Sequence, residues 1–486
     1  MRRFFQLLLL ALVLLLVVLL VNTYRFSSKQ LSDVPAAPAV PGADSAAQRL
    51  SRALQIRTVS FTDYSLVDTT QFDQFVSFIS QAFPLTHSRL KRKTVNRYGL
   101  LFEWPGRNTQ LKPVLLMGHY DVVPVIQGTQ AMWKRPPFGG LVEGGYLYGR
   151  GSLDDKSTVM GLLEAVEYLL KSGFQPERSI YLAFGQDEEA SGGRGARAMA
   201  QLLKKRGLQF EYIMDEGGVL KTDGIPGLSK TVALVGIAEK GYITLTLTAR
   251  AKGGHSSMPP QQTSIGMIAE AVHKLESNPF PTRLDGGANF MFDFLGPEMP
   301  FGQRLAFANR WLLGPVIKQS LSGSNSGRAM MQTTTAPTIF QAGVKDNVLP
   351  IDATATINFR ILPGETTESV MQRVREVIDN EAVTAAPLSS LNSNPSPVSD
   401  PDAPAFQVLH RTIKSVFPEA VVAPYLVVGA TDSRYYTELS PNVYRFSPTK
   451  VDEAAIQGVH GTNERLSVQN YGEMIRFYAA LIRNAR

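Results

Sequence analysis

Three hydrophobic patterns divide this chain. The first is a continuous apolar run near the N-terminus. After Met1-Arg2-Arg3 comes FFQLLLLALVLLLVVLLV, residues 4–21, interrupted by Gln6 alone. Eighteen residues of helix rise about 27 Å, close to the hydrocarbon thickness of a bilayer. No small-x-small cleavage pattern follows, so residues 1–22 read as an uncleaved signal anchor, with a cleaved signal peptide as the alternative. The Arg pair predicts a cytosolic N-terminus. The body is then expected to be exocytoplasmic, facing the periplasm, an organelle lumen or the outside. It is membrane-anchored by a single pass, or secreted if the segment is cleaved. Residues 23–47 are rich in Pro, Ala and Ser without apolar period and predict a flexible linker.

The second pattern is short and continuous: Val114-Leu115-Leu116-Met117, 180–184 (IYLAF) and Tyr212-Ile213-Met214. Such runs suit strands buried on both faces. Between the first two, Val159, Leu162, Leu163, Val166, Leu169 and Leu170 recur at helical spacing, with Gly173 placed to end the helix. This strand–helix–strand order predicts an α/β fold, a mostly parallel sheet sandwiched by helices. The third pattern alternates strictly. In GYITLTLTAR (241–250) and IDATATINFR (351–360) every second residue is apolar, as in an antiparallel sheet with one wet face. Helical patterns follow at SIGMIAEAVHKLE and TTESVMQRVREVI. The expected organisation is an α/β domain in two parts, 48–239 and 393–486, with an α+β domain inserted at 240–392. Within the insert, 278–335 reads as an irregular excursion.

Composition narrows the chemistry. The 486 residues carry 49 Lys+Arg against 42 Asp+Glu, a net charge of +7, with 44% hydrophobic residues. That is a chain able to bury a large core rather than a disordered one. The absence of cysteine excludes disulfide scaffolds, zinc fingers, iron–sulfur centres and thiol nucleophiles. The basic clusters at 91–93 and 204–206 are short and lack interleaved aromatics, so no nucleic-acid partner is expected.

Acidic residues and histidines gather just after the buried strands. His119 and Asp121 follow the first, Asp154 and Asp155 occupy a Gly-containing turn before the helix, and Asp187, Glu188 and Glu189 follow the second. Asp215 and Glu216 follow the third, and His460 sits in a late loop. Sites in open parallel sheets form outside the carboxyl ends of the strands. Carboxylates converging there repel one another unless a cation lies between them. Mixed imidazole and carboxylate donors without sulfur suit zinc, or less readily cobalt or manganese.

The motifs HYDVVP, GRGSLDDKS, DEEASGG, MDEGG and GVHG, in this order, resemble the di-zinc metallopeptidases that include aminoacylase, acetylornithine deacetylase and carboxypeptidase S. With GATDSRYY (429–436), the extra segment at 278–335 and the lone N-terminal membrane run, the chain looks most like the carboxypeptidase S subgroup, which includes N-fatty-acyl amino acid synthase/hydrolases. The resemblance covers about 110–480. It implies two zinc ions per subunit, with cobalt or manganese as substitutes. Asp154 would bridge them. His119 and Asp215 would complete one site, and Glu189 and His460 the other, while Glu216 stays open as an alternative to Asp215. Asp121 would orient His119. Glu188 would serve as general base toward water and then protonate the leaving amine. The same resemblance implies that His255 stabilises the tetrahedral intermediate, often from a partner subunit, and that the inserted domain is a lid and dimerisation domain. Arg360, with Asn347, would hold a substrate carboxylate. His87, His273 and His410 lie away from the motifs and read as structural.

The expected activity is therefore a zinc-dependent amidohydrolase or carboxypeptidase cutting the amide before a C-terminal amino acid in short peptides or N-acyl amino acids. An aminopeptidase or an inactive binding protein on the same fold are the alternatives. A homodimer through the inserted domain is expected.

Overall fold

A computed structural model describes residues 1–389 and 391–486. Its centre is a ten-stranded sheet. Val114–His119 lies between Ile180–Gly185 and Ile213–Asp215, parallel to both, and Val443–Arg445 continues the parallel set beside Ile213–Asp215. Beyond this block the directions change. Lys91–Val95 and Gly99–Trp104 add antiparallel at one edge, and Val232–Glu239 and Val219–Lys221 run antiparallel on the other side. The sheet is thus mixed, not mostly parallel as expected. A continuous apolar run reports burial on both faces, and strands of either direction satisfy that.

Alternate residues of these strands enter two different cores. Leu116, Leu182 and Phe184 pack with the helix Lys156–Lys171, whereas Leu115, Met117, Tyr181 and Ala183 pack with Met199, Ala200 and Leu203 of the helix Ala196–Lys205. Period-two alternation in a strand whose faces are both covered produces this split. The helix Lys156–Lys171 ends as its sequence predicts. Gly173 takes φ +73°, its N–H bonds to the Leu170 carbonyl, and the Phe174 N–H bonds to the Leu169 carbonyl, which satisfies two orphan acceptors of the last turn.

The alternating segments form a separate four-stranded antiparallel sheet. Its order is Thr334–Ala342, Asp352–Ile361, Gly241–Arg250, Val383–Pro387. Register sets Ile243 opposite Phe359, Leu245 opposite Ile357 and Leu247 opposite Ala355. That apolar face is covered by the helices Ser264–Ser277 and Thr367–Ile378, through Met267, Ile268, Val370 and Val374. The opposite face carries Thr244, Thr246 and Asn358.

Two expectations are corrected. The stretch 278–335 is helical, with Gly287–Leu295, Phe301–Ala308, Arg310–Ser322 and Asn325–Met331. Its Gly and Pro residues break it into short helices, while Met291, Phe292 and Phe294 join the main core, Phe294 lying 5.7 Å from Phe406. Residues 23–47 are not a free linker. The first helix, Arg2–Arg25, runs past residue 22, and the next, Ala43–Gln55, starts before residue 47. The intervening chain lies on the body, where the Gln30 side chain bonds Val422 N and O and the Ala37 carbonyl accepts Arg476 Nε at 3.0 Å. Backbone hydrogen-bonding groups supply these contacts, and composition does not register them.

Candidate metal centre

His119 is the last residue of its strand and is 2% exposed. Its Nδ1 faces Asp121, 3.2 Å from the carbonyl and 3.3 Å from Oδ1, and its Nε2 stands 3.0 Å from Asp154 Oδ1. The other oxygen of Asp154 lies 3.1 Å from His460 Nε2, which is also 3.1 Å from Glu189 Oε1. One carboxylate therefore divides its two oxygens between two imidazoles. Two donors on one tetrahedral zinc, each bonded at about 2.0–2.1 Å, stand roughly 3.3 Å apart, so these separations fit shared cations. His119, Asp154 and Glu189 each offer an atom within 4.8 Å of the others.

The supporting contacts explain the geometry. Asp121 is fully buried. It accepts Ser60 Oγ at 2.6 Å and the N–H groups of Glu188 and Glu189 at 3.1 Å each, so one carboxylate aims His119 and pins the acidic turn together. Asp155 Oδ2 accepts the His119 N–H at 3.2 Å. Glu464 accepts Arg150 Nη1 at 2.8 Å and the N–H groups of Gly151, Leu153 and Asp154 at 3.1, 2.7 and 3.2 Å. Arg150 also donates to the Gly461 carbonyl. This buried pair joins the turn carrying Asp154 to the loop carrying His460, which itself adopts φ +57°. Gly151 sits at φ +88°, and a Cβ there would come within 2.9 Å of Val122 Cγ1.

Charges here act as a coupled set. His119's burial opposes its charge, but Asp121 and Asp154 outweigh that and hold the imidazole well above its ordinary value. Bonds to Asp154 and Glu189 push His460 up to about 10. Asp154 is held well below the carboxylate range: its burial is outweighed by the two imidazoles. Burial raises Glu188 and Glu216, and for Glu216 the neighbouring Asp215, Asp154, Asp155 and Glu188 add to the rise. Carboxylates crowded in this way repel one another unless a positive charge lies between them.

Asp154, Glu188, Glu189, Glu216 and His460 line one open cavity of about 270 Å³, together with Tyr425, Val427 and Val428. Asp215 is not among them. It is buried, and its Oδ2 accepts the Ser433 N–H at 2.7 Å. Of the two carboxylates, Glu216 is the one facing the cavity. Arg360 is half-buried, 4.9 Å from the Tyr242 ring, and feels a second guanidinium, Arg434, which in turn feels Glu188. His255 and Asn347 lie apart. Both are exposed on the ribbon Gly254–His255 with Val348–Leu349, where His255 Nδ1 bonds Ser257 Oγ and the Asn347 carbonyl accepts Ser256 N–H. His410 is buried between Phe294 and Phe406, and burial takes it down to about 4. His87 bonds the Phe83 carbonyl and His273 lies near Ser277, so neither approaches the cavity.

The sequence reading missed Ser60, Arg150, Arg434 and Glu464. Ser60 and Glu464 stand in none of the motifs quoted above, whereas Arg150 stands inside GRGSLDDKS, four residues before Asp154. Arg434 stands inside GATDSRYY, and that was its signal.

Two imidazoles and converging carboxylates, at the carboxyl ends of parallel strands beside an open cavity, define a metal-dependent hydrolase. The model of Peptidase family M20/M25/M40 matches residues 115–484, and this chain belongs to that family; it is a metallopeptidase of the M20 kind. It is 41% identical over 493 residues to "Probable carboxypeptidase S-like 2" of Dictyostelium discoideum, covering 97% of this chain and 92% of that one. It is 40% identical over 442 residues to the "N-fatty-acyl-amino acid synthase/hydrolase PM20D1" of Homo sapiens, covering 90% and 87% respectively. A crystal structure of an M20 family metallo-carboxypeptidase from Sulfolobus solfataricus superposes with a TM-score of 0.65 at 18% identity, covering 91% of this chain and 99% of that chain. That likeness concerns the fold.

Proposed function

We propose that this protein is a membrane-anchored two-zinc amidohydrolase. It cleaves the amide preceding a C-terminal amino acid in short peptides or N-acyl amino acids. Asp154 carries the reading, because a carboxylate with one oxygen toward His119 and the other toward His460 is placed to bridge two cations. His119 and Glu216 would hold one ion, and Glu189 and His460 the other. Glu216 replaces Asp215 in this role because it faces the cavity. Bound divalent ions supply Lewis acidity toward the scissile carbonyl and a more acidic water.

Glu188 does the proton work. It lines the cavity without an imidazole partner of its own, and burial raises its carboxyl above the ordinary carboxylate value. It takes the proton of the attacking water and delivers it to the departing nitrogen. Asp121 keeps His119 in one tautomer by facing Nδ1, which leaves Nε2 for the metal. Arg360 and Arg434 are like charges in one neighbourhood, and an anion between them relieves their repulsion. A substrate α-carboxylate is such an anion, which favours this reading over an aminopeptidase. The apolar Val427, Val428 and Tyr425 offer a surface for a side chain or acyl group.

His255 and Asn347 act from a partner subunit in this reading, with the four-stranded unit as lid and dimerisation domain. Their exposure supports this, as does the edge strand Thr334–Ala342, which presents Ile339 and Phe340 to solvent, 50% and 49% exposed. The test is metal analysis combined with turnover of dipeptides and N-acyl amino acids, with and without chelator. Two zinc ions per chain and chelator-sensitive release of the C-terminal amino acid are expected. Full activity in metal-stripped protein would refute the proposal.

A further inference from the structure

The apolar N-terminal helix does not leave the body freely. Its last turns are gripped by the 287–331 excursion. Asn309 Nδ2 donates to the Leu19 carbonyl at 3.1 Å, and Asn22 Nδ2 donates to Asn309 Oδ1 at 2.9 Å. Thr23 is 1% exposed, and Arg304 Nη2 donates to the Phe26 carbonyl at 2.8 Å. The Phe26 ring lies so close over Gly296 that a Cβ there would stand 2.5 Å from it. Asn309 is the residue before the helix Arg310–Ser322. The start of that helix is therefore level with Leu19–Thr23, where the apolar run of residues 4–21 ends.

At that level the body shows water an unusual set of side chains. Trp311, Leu312 and Val316 are 63%, 40% and 60% exposed, and Phe301 is 56% exposed. Leu312 and Val316 are four residues apart and share one face of the helix, and Trp311 stands beside them in its first turn. Tyr24, at the end of the apolar helix, is 77% exposed. Trp and Tyr at the end of a spanning helix, beside an apolar helical face, are the composition of a membrane–water interface.

We propose that the face formed by Phe301, Trp311, Leu312 and Val316 is seated in the phospholipid leaflet on the side of the catalytic body, as a second attachment beside the spanning helix. This rests on the membrane-anchor reading proposed above. Leu19 is two residues inside the apolar run, about 3 Å along the helix axis. Side chains flanking it reach the boundary between headgroups and acyl chains without a further segment crossing the bilayer. Two attachments rather than one stop the catalytic body from swivelling on its anchor, and hold it against the surface in which amphiphilic N-acyl substrates dissolve.

The full chain, reconstituted in phosphatidylcholine vesicles with acyl chains brominated at carbons 6 and 7, tests this through tryptophan emission. Trp104 is 5% exposed within the core, and Trp133 lies beside buried Arg150. The expected result is bromine quenching that is lost in Trp311→Phe and reduced in Val316→Asp, with turnover of a water-soluble dipeptide unchanged in both. Equal quenching in the wild type and Trp311→Phe would overturn the proposal. So would Trp311 emission that ignores bromine but shifts to the blue as protein density rises, which would assign the face to a second copy. Carbonate extraction separates the two readings. Chain that resists extraction without Trp311 quenching keeps the anchor and removes the second attachment. Chain released by carbonate removes both.

Discussion

Glu464 gives the sharpest test of how this centre is held. Glu464 and Arg150 are each 1% exposed, and the Glu464 carboxylate also takes three backbone N–H groups of the turn that carries Asp154. In Glu464→Gln the amide nitrogen of the new side chain faces donors, and Arg150 loses its counter-charge while keeping the Gly461 carbonyl and the Trp133 ring. Removing one partner of a buried ion pair costs about 3–5 kcal/mol. Burial raises the Glu464 carboxyl against the pull of Arg150 and the N–H groups, so the pair holds position rather than adding net stability. Arg150→Met should therefore cost a similar amount, and the double variant should cost less than the sum, with a coupling of about 2 kcal/mol or more. Urea denaturation of the four proteins reads the cycle. Zinc titration reads the function: a loosened Asp154 should weaken metal affinity by about 10- to 100-fold. Additive destabilisation within about 0.5 kcal/mol, with metal affinity unchanged, would refute the coupling of these two loops.

Three further outcomes are expected. Glu188→Gln should retain its metal and lose turnover by about 10²- to 10⁴-fold; near-normal turnover would remove Glu188 as the base. His460, raised to about 10 by Asp154 and Glu189, makes metal uptake pH-dependent. In chelator-treated protein the stabilising imidazolium contact is complete below about 6.5 and is lost as pH rises through about 10, while cation affinity strengthens over the same window. Calorimetry at pH 7.5 in two buffers of different ionisation enthalpy should detect the released proton, and a buffer-independent heat would contradict it. Arg360→Ala should raise KM for substrates with a free carboxylate by roughly 10- to 150-fold, the equivalent of about 1.5–3 kcal/mol, and leave their amides nearly unaffected. An equal change for both substrate types would exclude a carboxylate contact.

Local pattern determined much of this protein by itself. The period-two segments 241–250 and 351–360 could bury only one face, the run at 114–117 had to be covered on both, and Gly173 stood where a helix must stop. Carboxylates and imidazoles placed just past buried strands announced a cation site, because strand ends are where a chain leaves the core and side chains can converge. Only tertiary structure decided the rest. Strand direction depends on which edge a strand joins, so the sheet came out mixed. Asp215 and Glu216 are adjacent acids, and only the fold gives Asp215 the Ser433 N–H as its partner and sets Glu216 in the cavity lining. The short helices at 287–331 owe their stability to the core and to the N-terminal helix, not to their own composition. Glu464 is an ordinary charged loop residue in the sequence. Its meaning comes from Arg150, 314 positions away, because a buried charge is tolerated only where folding delivers a partner.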